Sequence, residues 1–252
     1  FDEDRSEVLE RAFESGCSHL ILTGSCLGSS EALIPWSNER CSRTVGIHPH
    51  TASEFQGLEP LRALATAPSA GKMVAIGECG LDYNRMFSTR EEQIKCFKAH
   101  IELANELNKP LFLHQRDALD DFVDVLDTTP STVEKIVHCF TDGPRAAETL
   151  IERDCWFGVT GWVCDSRRNQ DLLEALPLLP RDKLMIETDA PWLTPRTLPR
   201  SVVGKHRRNE PSYLMAVAAE LSKVLDWPVE DLLRTTTENA QRFFGLSCSS
   251  HQ

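Results

Sequence analysis

Short runs of β-branched and other apolar residues alternate along the chain with longer stretches whose apolar positions return every three or four residues. Runs of the first kind suit strands buried on both faces, and stretches of the second kind suit helices with one buried stripe. The alternation therefore predicts repeated βα units around a parallel sheet. Seven strands are expected: HLILTG (19 to 24), RTVGIHP (43 to 49), MVAIGECG (73 to 80), PLFLHQR (110 to 116), KIVHCF (135 to 140), CWFGVTG (155 to 161) and LMIETDAP (184 to 191). Between the third and fourth, EEQIKCFKAHIELANELN sets Ile94, Phe97, Ile101, Leu103 and Ala104 at helical spacing. Ser88-Thr89 ahead of Glu91-Glu92, and Asp117 after PLFLHQR, have the composition of helix N-caps. Two further helices are expected at about 210 to 225 and 229 to 244.

The first residues, FDEDRSEVLERAFESG, form an acidic amphipathic helix ahead of the first strand. Seven strands behind an opening helix predict a TIM (β/α)8 barrel whose own first strand precedes Phe1. A doubly wound open sheet is the alternative. The regular rhythm, and a polar residue after nearly every strand, favour the barrel. With 252 residues and no repeat, linker or low-complexity tract, residues 1–252 are expected to be a single barrel domain.

Composition adds little to the fold but narrows the setting. Hydrophobic residues make up 41% and charged residues 26%, a globular balance, and no apolar run is long enough to span a bilayer. Nine cysteines without a CxxC pair, several inside apolar runs, read as reduced thiols. The opening helix has no basic or apolar segment of a secretory signal. A cytoplasmic monomer is expected, or a nuclear one in a eukaryote. The formal net charge of −11 argues against coating nucleic acid by bulk attraction, but not against a nuclease that grips it locally.

Side chains at the C-terminal ends of barrel strands converge on one mouth. There the chain offers Glu78 after VAIG, His114 after LFL, His138 after IV and Asp189 after MIET. Imidazole with carboxylate suits Mg²⁺, Mn²⁺ or Zn²⁺, and an ion so held favours hydrolysis by acidifying water. Two ions roughly 3.5 to 4 Å apart, bridged by a carboxylate such as Glu78, would clamp both oxygens of a phosphodiester displacement. Asp189 is a ligand or the acceptor of the water proton. Cys79 and Cys139 beside two of these residues are expected to pack on the other face.

His48 in GIHPH is a candidate for the phosphate or the attacking water, and His50 a weaker one. Asp82, Arg85 and Arg116 are candidates for phosphate contact or for orienting the ligands, against an ordinary role in loop ion pairs. The segment TPRTLPRSVVGKHRRNEP carries Arg196, Arg200, Lys205, Arg207 and Arg208 with no acid before Glu210. In an acidic chain that one-signed strip is where a phosphate backbone would lie.

These stretches, TVGIHPH, VAIGECGLDYNR, FSTREEQ, KPLFLHQRDA, VHCFTD, GVTGWVCDSRR, LMIETDAPWLTPR and RRNEP, together resemble the TatD family of metal-dependent deoxyribonucleases. The resemblance implies Mg²⁺-dependent or Mn²⁺-dependent 3′ to 5′ cleavage of single-stranded DNA, in some cases RNA. It also implies Glu78, His114, His138 and Asp189 as the metal residues, with others on a strand ahead of this sequence. Gln115 stands where relatives often have Cys, and Asp142 where they commonly have Gly. The same barrel could serve an amidohydrolase acting on a small ester, amide or phosphoester. No strand, however, ends in a lysine to be carboxylated as a metal bridge. A scaffold protein would have lost the four metal residues.

Overall fold

All seven expected strands form in the computed structural model, which describes residues 1–67 and 72–246. They are β1 (Leu20–Leu22), β2 (Cys41–Val45), β3 (Met73–Asp82), β4 (Leu111–Arg116), β5 (Lys135–Val137), β6 (Trp156–Val159) and β7 (Leu184–Ile186). Most are shorter than their apolar runs, because the polar residues that follow leave the ladder. The helices are α1 (Arg5–Glu14), α2 (Leu27–Ala32), α3 (Glu59–Thr66), α4 (Arg90–Leu107), α5 (Leu119–Thr128), α6 (Pro144–Ile151), α7 (Gln170–Ala175), α8 (Arg200–Val203), α9 (Leu214–Val224) and α10 (Val229–Phe244).

Residues divide into two compact units. One comprises His19–His138 with Phe243–Gly245, and the other is built mainly from Phe1–Ser18 and Cys139–Arg242. In the first unit β1 to β5 pair in chain order, all parallel. Connections between parallel neighbours must cross over, and the longest is α4. Its expected N-cap forms: Thr89 Oγ1 accepts from the Glu92 amide while the Glu92 carboxylate accepts from the Thr89 amide. Asn108 ends α4 in the left-handed conformation. The buried face of α4 carries Cys96, Phe97, Ile101 and Ala104, and Phe97 stacks on Phe122 of α5 with ring centroids 5.1 Å apart.

The cap expected at Asp117 does not form. Asp117 takes a left-handed φ of 54° and its carboxylate accepts from Asn84 Nδ2 at 2.8 Å. The N-cap position of α5 falls one residue later, on Ala118, which has no polar side chain to cap with. Gln115 Oε1 instead accepts from the Ala118 amide at 3.1 Å, ahead of α5.

In the second unit β6 and β7 pair in parallel, and the ladder continues one residue further as Glu187 N–H donates to Val159 O. Phe140 and Phe157 meet edge to face in its core. The expected closing helices are α9 and α10. Among the described residues no helix is long and apolar enough to cross a membrane, and the eight described cysteines are free thiols.

Candidate metal centre

Glu78 lies inside β3, which runs on to Asp82, rather than at its end. Opposite β4, Gly77 pairs with Phe112 and Cys79 with Leu113, so Glu78 is the extra residue of a bulge. A bulge re-aims a side chain, and here the Glu78 amide leaves the ladder to donate to Gly24 O at 2.9 Å. Gly77 is required beside it: its φ is 140°, and a Cβ there would collide with the carbonyl of Phe112.

Three histidines meet the Glu78 carboxylate. Oε1 lies 2.7 Å from His138 Nε2, 3.0 Å from His114 Nδ1 and 3.3 Å from His48 Nε2. His114 is in β4, while His138 directly follows β5 and is fixed as its amide donates to Leu113 O. The far nitrogen of His114, Nε2, faces Asp82 Oδ2 at 3.2 Å, and that oxygen also meets His50 Nε2 at 2.9 Å. All of these side chains are buried or half-buried.

Burial opposes the charge on Glu78, but His138, His48 and His114 outweigh it and hold the carboxyl well below its usual range. Burial likewise opposes protonation of His114. The carboxylates of Asp82 and Glu78 prevail, and its pKa is raised. For His48 burial wins over Glu78 and the pKa falls. Asp82 is driven far down, against burial, by His114 and the Arg85 amide.

The donor set fits a divalent ion. Candidate ligand atoms of His48, Glu78 and His114 lie within 4.8 Å of one another. An ion with bonds of about 2.0 to 2.2 Å holds its ligand atoms roughly 3 to 3.5 Å apart, close to the 3.0 and 2.7 Å at which Glu78 Oε1 meets His114 Nδ1 and His138 Nε2. If His114 Nε2 keeps a hydrogen for Asp82, Nδ1 presents its lone pair toward Glu78, the carboxylate-histidine pairing common around bound metals. His48 differs. Its Nδ1 accepts from the His50 amide at 3.0 Å, so the neutral ring carries its hydrogen on Nε2. That makes His48 better suited to donate a hydrogen bond than to ligate.

Asp189 follows β7 in a left-handed conformation, φ 54°, and its carbonyl accepts from Trp192 N–H. Arg85 is exposed beyond Asp82, and Arg116 ends β4 half-buried. In the basic strip two cations are neutralised by acids from elsewhere: Arg196 binds Asp165 at 3.0 Å and Arg208 binds Asp4. Arg207 has a buried Nη2 without a hydrogen-bond partner among the described residues.

Two residues outside the sequence candidates hold backbone around the site. Asn209, fully buried, donates through Nδ2 to the carbonyls of Thr188 and Trp192, and through its amide to that of Pro191. It thereby staples the loop that bears Asp189. His100, fully buried in α4, accepts from the Ile47 amide at 3.0 Å and donates to Cys96 O at 2.8 Å. Burial pushes its pKa down to about 4, so the ring is neutral and fixes the backbone just before His48.

Comparison with known proteins places the whole chain. The family described as TatD related DNase matches residues 1–245. The chain is 41% identical over 255 residues to the "3'-5' ssDNA/RNA exonuclease TatD" of Escherichia fergusonii, covering 98% of this chain and 95% of that protein. It is 40% identical to the protein of the same name from Escherichia coli, with coverages of 98% and 95%. Among solved structures, a hydrolase TatD family protein from Entamoeba histolytica superposes with a TM-score of 0.84 at 26% identity, over 97% of this chain and 90% of that one. The TatD homolog YjjV of Escherichia coli gives 0.85 at 23% identity, over 98% and 94%. The fold class is thus the α/β barrel expected from the strand rhythm.

Proposed function

This chain belongs to the TatD-related DNase family, and on that premise we propose that it hydrolyses phosphodiesters of single-stranded DNA, and of RNA, from the 3′ end, using a divalent ion held by Glu78, His114 and His138. Mg²⁺ is the preferred ion, ahead of Mn²⁺ and Zn²⁺. The observation that carries this reading is the meeting of three imidazoles on one oxygen of a buried carboxylate, with Asp82 behind His114.

A divalent ion in such a set supplies acidification of water and withdraws charge from the scissile phosphoryl group. The chain's own groups do the rest. Asp82 keeps the His114 ring in one orientation and one tautomer. His48 offers its Nε2 hydrogen to a phosphate oxygen or to the attacking water. Asp189, from its place after β7 and from the family pattern, is assigned as a ligand or as acceptor of the water proton. Arg85, Arg116 and Arg207 are assigned to backbone phosphates. A small-molecule amidohydrolase with a carboxylated lysine is not favoured, because Lys135 begins β5 rather than ending it.

The test is digestion of a 5′-labelled single-stranded oligonucleotide with Mg²⁺. The expected result is stepwise shortening that stops with chelator and falls to background in Glu78→Ala and Asp189→Ala. Full activity in either variant, or in chelator, would overturn the reading.

A further inference from the structure

Phe87 stands on a loop that is pinned at both ends. At the start, Asp82 Oδ1 accepts from the amides of Asn84 and Arg85 at 2.9 and 2.8 Å. At both ends, Gln93, fully buried in α4, accepts from the Asp82 amide and donates to the carbonyls of Asp82 and Ser88, at 2.8 to 3.1 Å. Ser88, itself buried, accepts from the Ser53 amide at 3.0 Å and donates to His50 O at 3.3 Å.

This framework carries the Phe87 ring outward, 66% exposed. Its aromatic neighbour is His50, met at 90° with centroids 4.9 Å apart. His50 bonds Asp82, and Asp82 bonds His114. A flat apolar face is thus fixed one ring away from the candidate ligands. Scattered exposed apolar side chains are ordinary on protein surfaces. This one is held by a loop anchored on buried polar groups, which leaves it little freedom to turn inward.

We propose that Phe87 is the stacking platform for a base of the substrate, the base adjoining the phosphodiester at the metal centre. The proposal rests on the nuclease reading above and adds a cause for strand preference. Every base has a π-face, so an aromatic platform accepts any base without reading sequence. Inside a duplex both faces of a base are covered by neighbouring pairs, so any base but an outermost one must leave the stack to lie on Phe87. The edge-on contact with His50 fixes the ring while leaving the larger part of it open.

The experiment compares wild type, Phe87→Leu, Phe87→Ala, Phe87→Trp and, as a control at another exposed apolar side chain, Leu178→Ala. Each digests a single-stranded oligonucleotide with Mn²⁺, and the same oligonucleotide with an abasic residue at each of its last three positions. Leu keeps an apolar contact with His50 but has no π-face. Loss of one base–aromatic stack should raise KM roughly five- to 150-fold in the Leu and Ala variants. Trp should restore most of the loss, and Leu178→Ala should match wild type. At one abasic position wild type should lose about what Phe87→Leu loses, and that variant should be indifferent to the same missing base. An unchanged KM in Phe87→Leu and Phe87→Ala, or an abasic penalty that persists in them, overturns the stacking role alone. If wild type cleaves none of these oligonucleotides, the nuclease reading fails, and the stacking role with it.

Discussion

Nε2 of His138 lies 2.7 Å from Oε1 of Glu78, though the two residues are 60 positions apart in the chain. One comes from a bulge in β3 and the other from the end of β5, and β4 between them contributes His114. Convergence of strand ends is what the barrel supplies, and the bulge lets a mid-strand residue join. Glu78→Gln keeps the shape and removes the charge that such an ion needs. Titration calorimetry with Mn²⁺ should show binding in wild type and none in this variant. Equal heats would place the ion elsewhere.

Asp82 acts on the site through His114. In Asp82→Asn the amide can present its nitrogen to the ring and release the tautomer, and His50 loses the same partner. The affinity for Mn²⁺ should fall about 10- to 100-fold, the usual cost of losing a group that orients a metal ligand. An unchanged dissociation constant would reduce Asp82 to a loop anchor for Asn84 and Arg85.

His100 makes folding stability depend on pH. Its folded pKa is about 4 and its ordinary value 6.5, so the unfolded chain takes up the proton first. Stability tied to this ring is therefore complete above pH 6.5, declines as pH falls, and stops declining below about 4, a loss of about 3 kcal/mol. Urea unfolding in chelator at both ends of that window should show His100→Gln losing less stability on acidification than wild type does. Parallel losses would mean that the ring is not buried neutral.

Asn209 ties together the backbone on both sides of Asp189. Asn209→Ala leaves the carbonyls of Thr188 and Trp192 without this donor. Each lost bond at a buried group costs about 1 to 3 kcal/mol. The variant should melt at lower temperature, and at a temperature where it remains folded its kcat should fall about 10-fold or more. A lowered melting point with wild-type kcat would show that the staple serves folding only.

The strands were legible because their apolar runs are short, β-branched and regularly spaced, and the residues after them supplied Glu78, His114 and His138. The bulge at Glu78 was not legible, since it arises from the pairing of Gly77 and Cys79 with β4 rather than from local sequence. His100 and Gln93 could have been found: both share the α4 stripe of Cys96, Phe97, Ile101 and Ala104, where a polar residue needs an inward partner. The role of Asn209, within RRNEP, could not, because its partners lie 17 and 21 positions away in irregular backbone. The basic strip looked uniformly positive for the same reason. The acids that meet Arg196 and Arg208 are 31 and 204 positions distant.

The central claim is that one divalent ion sits on Glu78 between its histidines. Anomalous diffraction from crystals soaked in Mn²⁺ tests it most directly. A peak should appear about 2.0 to 2.2 Å from a Glu78 oxygen and from His114 Nδ1, with His138 Nε2 completing the protein ligands of this unit. A map with no peak at Glu78, beside Mn²⁺ bound at other carboxylates, would contradict the claim.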